Sequence, residues 1–112
     1  MSRATIAARA GAGALLGLAL LGLAAAGPGA AQVSVDNFTF NPDPVVVPAG
    51  AQVTWTNGDD VPHAIRATDG SFHSKALDTG EAFSFTFTKP GVYTYFCSIH
   101  PKMVGKVIVR AP

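Results

Sequence analysis

Cys97, His100 and Met103 stand three residues apart in the stretch Y-T-Y-F-C-S-I-H-P-K-M-V-G-K-V-I-V, which runs from Tyr93 to Val109. A tight turn over that spacing aims a thiolate, an imidazole and a thioether at one point. His63, far upstream and fixed behind Pro62, supplies a second imidazole. Two imidazoles, one thiolate and a weak thioether form the donor set of a blue-copper electron-transfer site. An electron carrier must change oxidation state with little movement of its ligands. Soft sulfur donors favour Cu(I), imidazole suits both states, and a long axial Met contact tunes the potential.

Each of these residues also has a plainer reading. Cys97 is the only cysteine, so no internal disulfide is open to it. It is a buried inert thiol, an intermolecular bridge or a metal-bound thiolate, and donors at fixed spacing beside it favour the last. An isolated histidine such as His63 reads by default as a turn residue, and Met103 as core at a strand start. His73 has no comparable neighbours and is read as a loop residue. Zinc takes Cys and His but rarely Met. A metalloenzyme needs an open coordination position or a second metal, and no spare cluster of His, Cys or carboxylates offers one, so no enzymatic activity is expected. A copper carrier or storage protein of the periplasm is the alternative to a shuttle, but the Met-rich or His-rich tract of such proteins is missing.

Residues 1–31 read as a secretory signal peptide: Arg3 and Arg9, an uncharged Ala/Leu/Gly run from Ala10 to Ala26, then small residues up to Ala31. Cleavage before Gln32 is expected, with a frame at Ala24 and Ala26 as the second choice. The apolar run is shorter than the roughly 20 residues of a spanning helix, so no stable membrane insertion is expected after cleavage. The remaining domain, 32–112, carries six basic groups against seven acidic ones, a formal −1, which gives no basis for nucleic-acid binding. A chain of that size has a marginal core, which a metal helps to stabilise. Export to the periplasm is the leading expectation, with the cell surface or the exterior as the other destinations.

The elements that must hold the donors read as strands. Val33 and Val35 alternate, then Phe38 and Phe40, and the shift between the pairs predicts a bulge near Asp36 and Asn37. Asn41-Pro-Asp-Pro44 predicts an edge or bend. Val45 to Val47, Gln52 to Thr56, a short run within His63 to Thr68, Ala82 to Thr88, Val92 to Cys97 and Val104 to Arg110 follow, with turn signals between them. Trp55 and the ladder Phe83, Phe85 and Phe87 are assigned to the core. Residues 71–80 have no clear period. With no helical periodicity after residue 31, the prediction is one small antiparallel sandwich or barrel. Pro62, Ile99, Pro101 and Val104 would form an apolar collar around the edge of His100, beside the charge of Lys102.

The motifs V-T-W at Val53 to Trp55, P-H at Pro62 and His63, F-S-F-T-F at Phe83 to Phe87 and G-x-Y-x-Y-x-C from Gly91 to Cys97 carry a resemblance. Over residues 33–110 the chain resembles the cupredoxins, and among them the amicyanins, whose short loop the two residues between His100 and Met103 match; plastocyanins and pseudoazurins are more distant. The resemblance implies an all-β Greek-key sandwich and one type 1 copper ion. It implies His63, Cys97 and His100 as equatorial ligands and Met103 as the weak axial one, with the edge of His100 reaching the surface. A soluble monomer that shuttles single electrons between a transient protein donor and acceptor is the function implied. Ala64 departs from the pattern, because members commonly carry there an Asn or another hydrogen-bonding residue that ties the ligand loops together.

Overall fold

Alternation at the centre of the chain builds the first sheet. Val53 and Trp55 point one way and are wholly buried, while Gln52, Thr54 and Thr56 between them stay half-exposed, as a strand with one wet face requires. In the computed structural model, which describes Gly27 and residues 29–112, this segment is the fourth of the eight strands among the described residues. In chain order these are β1 (Ala31–Asp36), β2 (Thr39–Asn41), β3 (Val45–Pro48), β4 (Ala51–Asn57), β5 (Arg66–Ala67), β6 (Ala82–Phe87), β7 (Gly91–Phe96) and β8 (Val104–Arg110). The expected signal segment lies almost wholly outside the described residues. Among the described residues no helix is long and apolar enough to cross a membrane.

The strands form two four-stranded sheets, ordered β2-β1-β4-β6 and β3-β8-β7-β5. This is the expected all-β sandwich, with one correction: β1 pairs parallel with β4, and β3 parallel with β8. Successive strands from β2 to β7 alternate between the sheets, so neighbours within a sheet need not be consecutive and need not run oppositely. Trp55 fills the space between the layers. Its ring stacks on Phe72 and Phe83 at centroid distances of 5.7 and 5.8 Å and meets Tyr95 edge-on at 5.4 Å. Phe87 is buried, whereas Phe83 and Phe85 are half-buried and pack against the core from an edge strand. Val33, Val35, Val45, Val47, Val107 and Val109 complete the interior.

The predicted bulge at Asp36 and Asn37 is instead a two-residue hairpin turn. Asp36 pairs with Thr39, and Asn37 and Phe38 between them take φ of 52° and 57°. Two positive φ values match the right-handed twist of the flanking strands. For a residue as bulky as Phe this left-handed conformation costs about 1–2 kcal/mol. The turn also explains the shifted period: Phe40 enters the core, but Phe38 stands at the tip, 49 % exposed.

Candidate metal centre

Two loops at one end of the sandwich carry the donors. The first joins β4 to β5 and holds His63, whose N–H donates to Leu77 O at 3.1 Å while Leu77 N–H donates back to His63 O at 2.7 Å. Asn57, at the end of β4 and wholly buried, anchors the same loop. Its amide nitrogen donates to Val61 O at 3.0 Å and Leu77 O at 2.9 Å, and its Oδ1 accepts from Asp59 N–H at 2.8 Å. The second loop joins β7 to β8 and closes on itself: Cys97 N–H donates to Met103 O at 3.0 Å and Met103 N–H to His100 O at 2.9 Å.

These anchors bring three of the four expected residues into one cluster. The ligating atoms of His63, Cys97 and His100 lie within 4.8 Å of one another. Cys97 Sγ sits 3.7 Å from His63 Nδ1 and 3.8 Å from His100 Nδ1. That separation suits one ion shared at metal–sulfur and metal–nitrogen lengths of about 2.0–2.3 Å. His63 and Cys97 are buried completely, and His100 is half-buried. Met103 is buried too and lines, with His100, a groove of about 530 Å³. His73 pairs with Arg66 through an isolated bridge, is exposed and stands outside the cluster.

The backbone N–H of Ala64 donates to Cys97 Sγ at 3.3 Å. A link between the two ligand loops therefore exists that needs no side chain at position 64. An N–H donor to the sulfur is the kind of contact that would support a metal-bound thiolate.

Asp59, not among the residues singled out from the sequence, orients His63. Its Oδ2 lies 2.8 Å from His63 Nε2. The same carboxylate accepts from Phe38 N–H at 3.0 Å and Asn37 N–H at 2.6 Å. These donors, Phe38 first, hold its pKa down at about 2, so it is an ionised acceptor at neutral pH. His63 Nε2–H therefore donates to this carboxylate, which leaves Nδ1, the nitrogen that faces the sulfur, as the one to hold a metal ion. A carboxylate behind a ligating histidine fixes both the tautomer and the ring plane. Asp59 precedes His63 by four residues, a hint in the sequence of its contact with the imidazole but not of its hold on Asn37 and Phe38.

The apolar collar also differs from expectation. Ile99 and Pro101 line the groove beside His100 with Lys102 and Met103, but the remaining wall is Phe38. Val104 lines a smaller neighbouring depression, and Pro62 lines neither. Two buried imidazole and thiolate donors with a fixed tautomer and a third donor at the rim suit a copper ion chemically, and the sulfur neighbour Met103 suits copper better than zinc.

A family profile described as "Cupredoxin-like domain" matches residues 8–109. Amicyanin-alpha of Methylorubrum extorquens is 33% identical over 112 residues, covering 96% of this chain and 94% of that protein. The chloroplastic plastocyanin of Tetradesmus obliquus is 39% identical over 84 residues, but the match covers 63% of this chain and 58% of that protein. Among solved structures, a purple cupredoxin from Nitrosopumilus maritimus superposes with a TM-score of 0.67 at 39% identity, over 70% of this chain and 98% of that one. With two four-stranded sheets, a His-Cys-His cluster between their end loops, a family profile over residues 8–109 and a relative matched along nearly the whole chain, this protein belongs to the cupredoxin family.

Proposed function

We propose that the protein is a type 1 copper electron carrier, in which His63, Cys97 and His100 would hold the copper and Met103 would add a weaker thioether donor. The bound copper would supply a one-electron Cu(II)/Cu(I) couple. What the chain contributes is rigidity. Asp59 and the backbone of Leu77 hold His63, Ala64 N–H holds Cys97, and the closed β7–β8 loop holds His100 and Met103, so neither oxidation state finds its donors free to rearrange.

The observation that carries this reading is the burial gradient across the cluster: His63 and Cys97 are sealed from water, and His100 alone is half-exposed, within an apolar groove. An electron then enters and leaves through the edge of His100, and a small apolar rim suits partners that must dissociate quickly. Lys102 at that rim makes association sensitive to salt. The molecule acts as an exported monomer freed of residues 1–31, between a protein donor and a protein acceptor, and breaks no bond in any substrate.

The test is the visible spectrum after addition of Cu(II), with Cys97→Ser as control. An intense blue band that bleaches on reduction and is absent from the control is expected. A colourless protein that still binds copper tightly would replace the shuttle with a carrier or store.

A further inference from the structure

We propose that Phe38 is a positioning residue that braces the His63 and His100 imidazoles and seals the face between them against small external ligands. Its ring meets both imidazoles at right angles, at centroid distances of 5.3 Å and 88° for His63 and 5.0 Å and 90° for His100. The two imidazoles themselves lie 4.9 Å apart. One phenyl ring thus spans the pair from the solvent side.

The placement is bought with backbone strain. Phe38 occupies a left-handed position that bulky residues avoid, and it is half-exposed, so core burial does not account for it. What holds it there is Asp59, which accepts the N–H groups of both turn residues and also the Nε2–H of His63. The hairpin tip and the buried histidine are registered to one carboxylate.

The two histidines need this brace unequally. His63 has Asp59 behind its ring, whereas among the described residues the Nε2 of His100 makes no hydrogen bond, and its Nδ1 points at Cys97. Packing against Phe38 is therefore the restraint on the outer side of His100. Phe38 also lines the groove in common with Met103, so removing the phenyl opens a path from solvent toward the donors.

The bracing part is independent of the bound metal, and the sealing part rests on the copper reading above. In the metal-free protein, NMR is expected to show NOEs from the Phe38 ring to both imidazoles. Phe38→Ala should broaden or average the His100 ring signals while those of His63 stay sharp. A His100 ring as well ordered in Phe38→Ala as in the native protein would overturn the proposal. With Cu(II) bound, azide should leave the native and Phe38→Leu spectra unchanged and give Phe38→Ala a saturable new charge-transfer band. Azide binding by the native protein, or none by Phe38→Ala, overturns it equally. A native protein with no blue band refutes the copper reading instead, and the metal-free NMR then decides the bracing by itself. Phe38 stands at a hairpin tip, so its truncation leaves the core intact, which circular dichroism will verify.

Discussion

Asp59 and His63 are joined by a 2.8 Å hydrogen bond from the imidazole Nε2–H to a carboxylate that also clasps the β1–β2 turn. One side chain thereby sets a histidine tautomer and anchors a loop more than twenty residues away in sequence. Removing it should release both.

Asp59→Ala is expected to weaken copper binding by about 10–100-fold, the range typical of losing a group that orients a ligand. Competition against a chelator of known affinity measures it. Unchanged affinity would show that the backbone pairing of His63 with Leu77 is sufficient alone.

Asn57→Ala strips the β4–β5 loop of its internal anchor: Val61 O loses its side-chain donor, Leu77 O keeps only the N–H of His63, and Asp59 N–H loses its acceptor. A loss of about 1–3 kcal/mol of stability is expected, because these backbone groups lose hydrogen bonds in a place water reaches poorly. The midpoint of denaturant unfolding of the metal-free protein reads it directly.

Gly105 lies opposite Tyr95 across the β7–β8 ladder, and a Cβ there would stand 2.6 Å from the tyrosine Oη and 2.7 Å from Cζ. The ring is wholly buried and cannot swing aside. Gly105→Ala should therefore cost about 1–3 kcal/mol by overpacking. Combining it with Tyr95→Phe should recover part of that loss, since the hydroxyl contact disappears and the ring contact remains; strict additivity in a double-mutant cycle would contradict the assigned clash.

Burial pushes the pKa of Tyr95 up to about 12. The unfolded chain ionises this group near its ordinary value of 10.0, so between about pH 10 and about pH 12 the native state holds a proton that the unfolded state has lost. Stability attributable to Tyr95 is complete below that window and declines as pH rises through it. Tyr95→Phe should flatten this decline relative to the native protein. At neutral pH it should be nearly harmless, because among the described residues the hydroxyl makes no hydrogen bond of ordinary geometry, and the indole N–H of Trp55 beside it is unpaired as well.

Where residue type and spacing were enough, the chain could be read directly. Val53, Trp55 and Phe87 are buried where alternation puts them, because burial on one face of a strand leaves a period in the sequence, and His63, Cys97 and His100 converge as their donor types and spacing suggest. Phe38 was misplaced for the converse reason. A positive-φ turn breaks the period, and Asn37-Phe38 lacks the glycine that marks such turns. Asp59 was hidden because its partners, the backbones of Asn37 and Phe38, are distant in sequence and leave no side-chain signature. The parallel pairing of β3 with β8 was equally invisible: periodicity tells which face of a strand is buried, not which strand lies beside it.

That pairing governs when the protein can come into being. β3 finds its neighbour in β8, with Val45 opposite Val107 and Pro48 opposite Arg110, and β7 leans on the same strand from the other side. The β1–β2 hairpin can form early from local contacts, but the second sheet waits for β8, the last strand in chain order, and contacts so far apart in sequence close slowly. Cys97 acquires its bond to Met103 O only in that final closure. A chain still lacking β8 therefore has neither the second sheet nor the closed loop that sets Cys97 beside His100, and the metal centre is the last part of the molecule to be assembled.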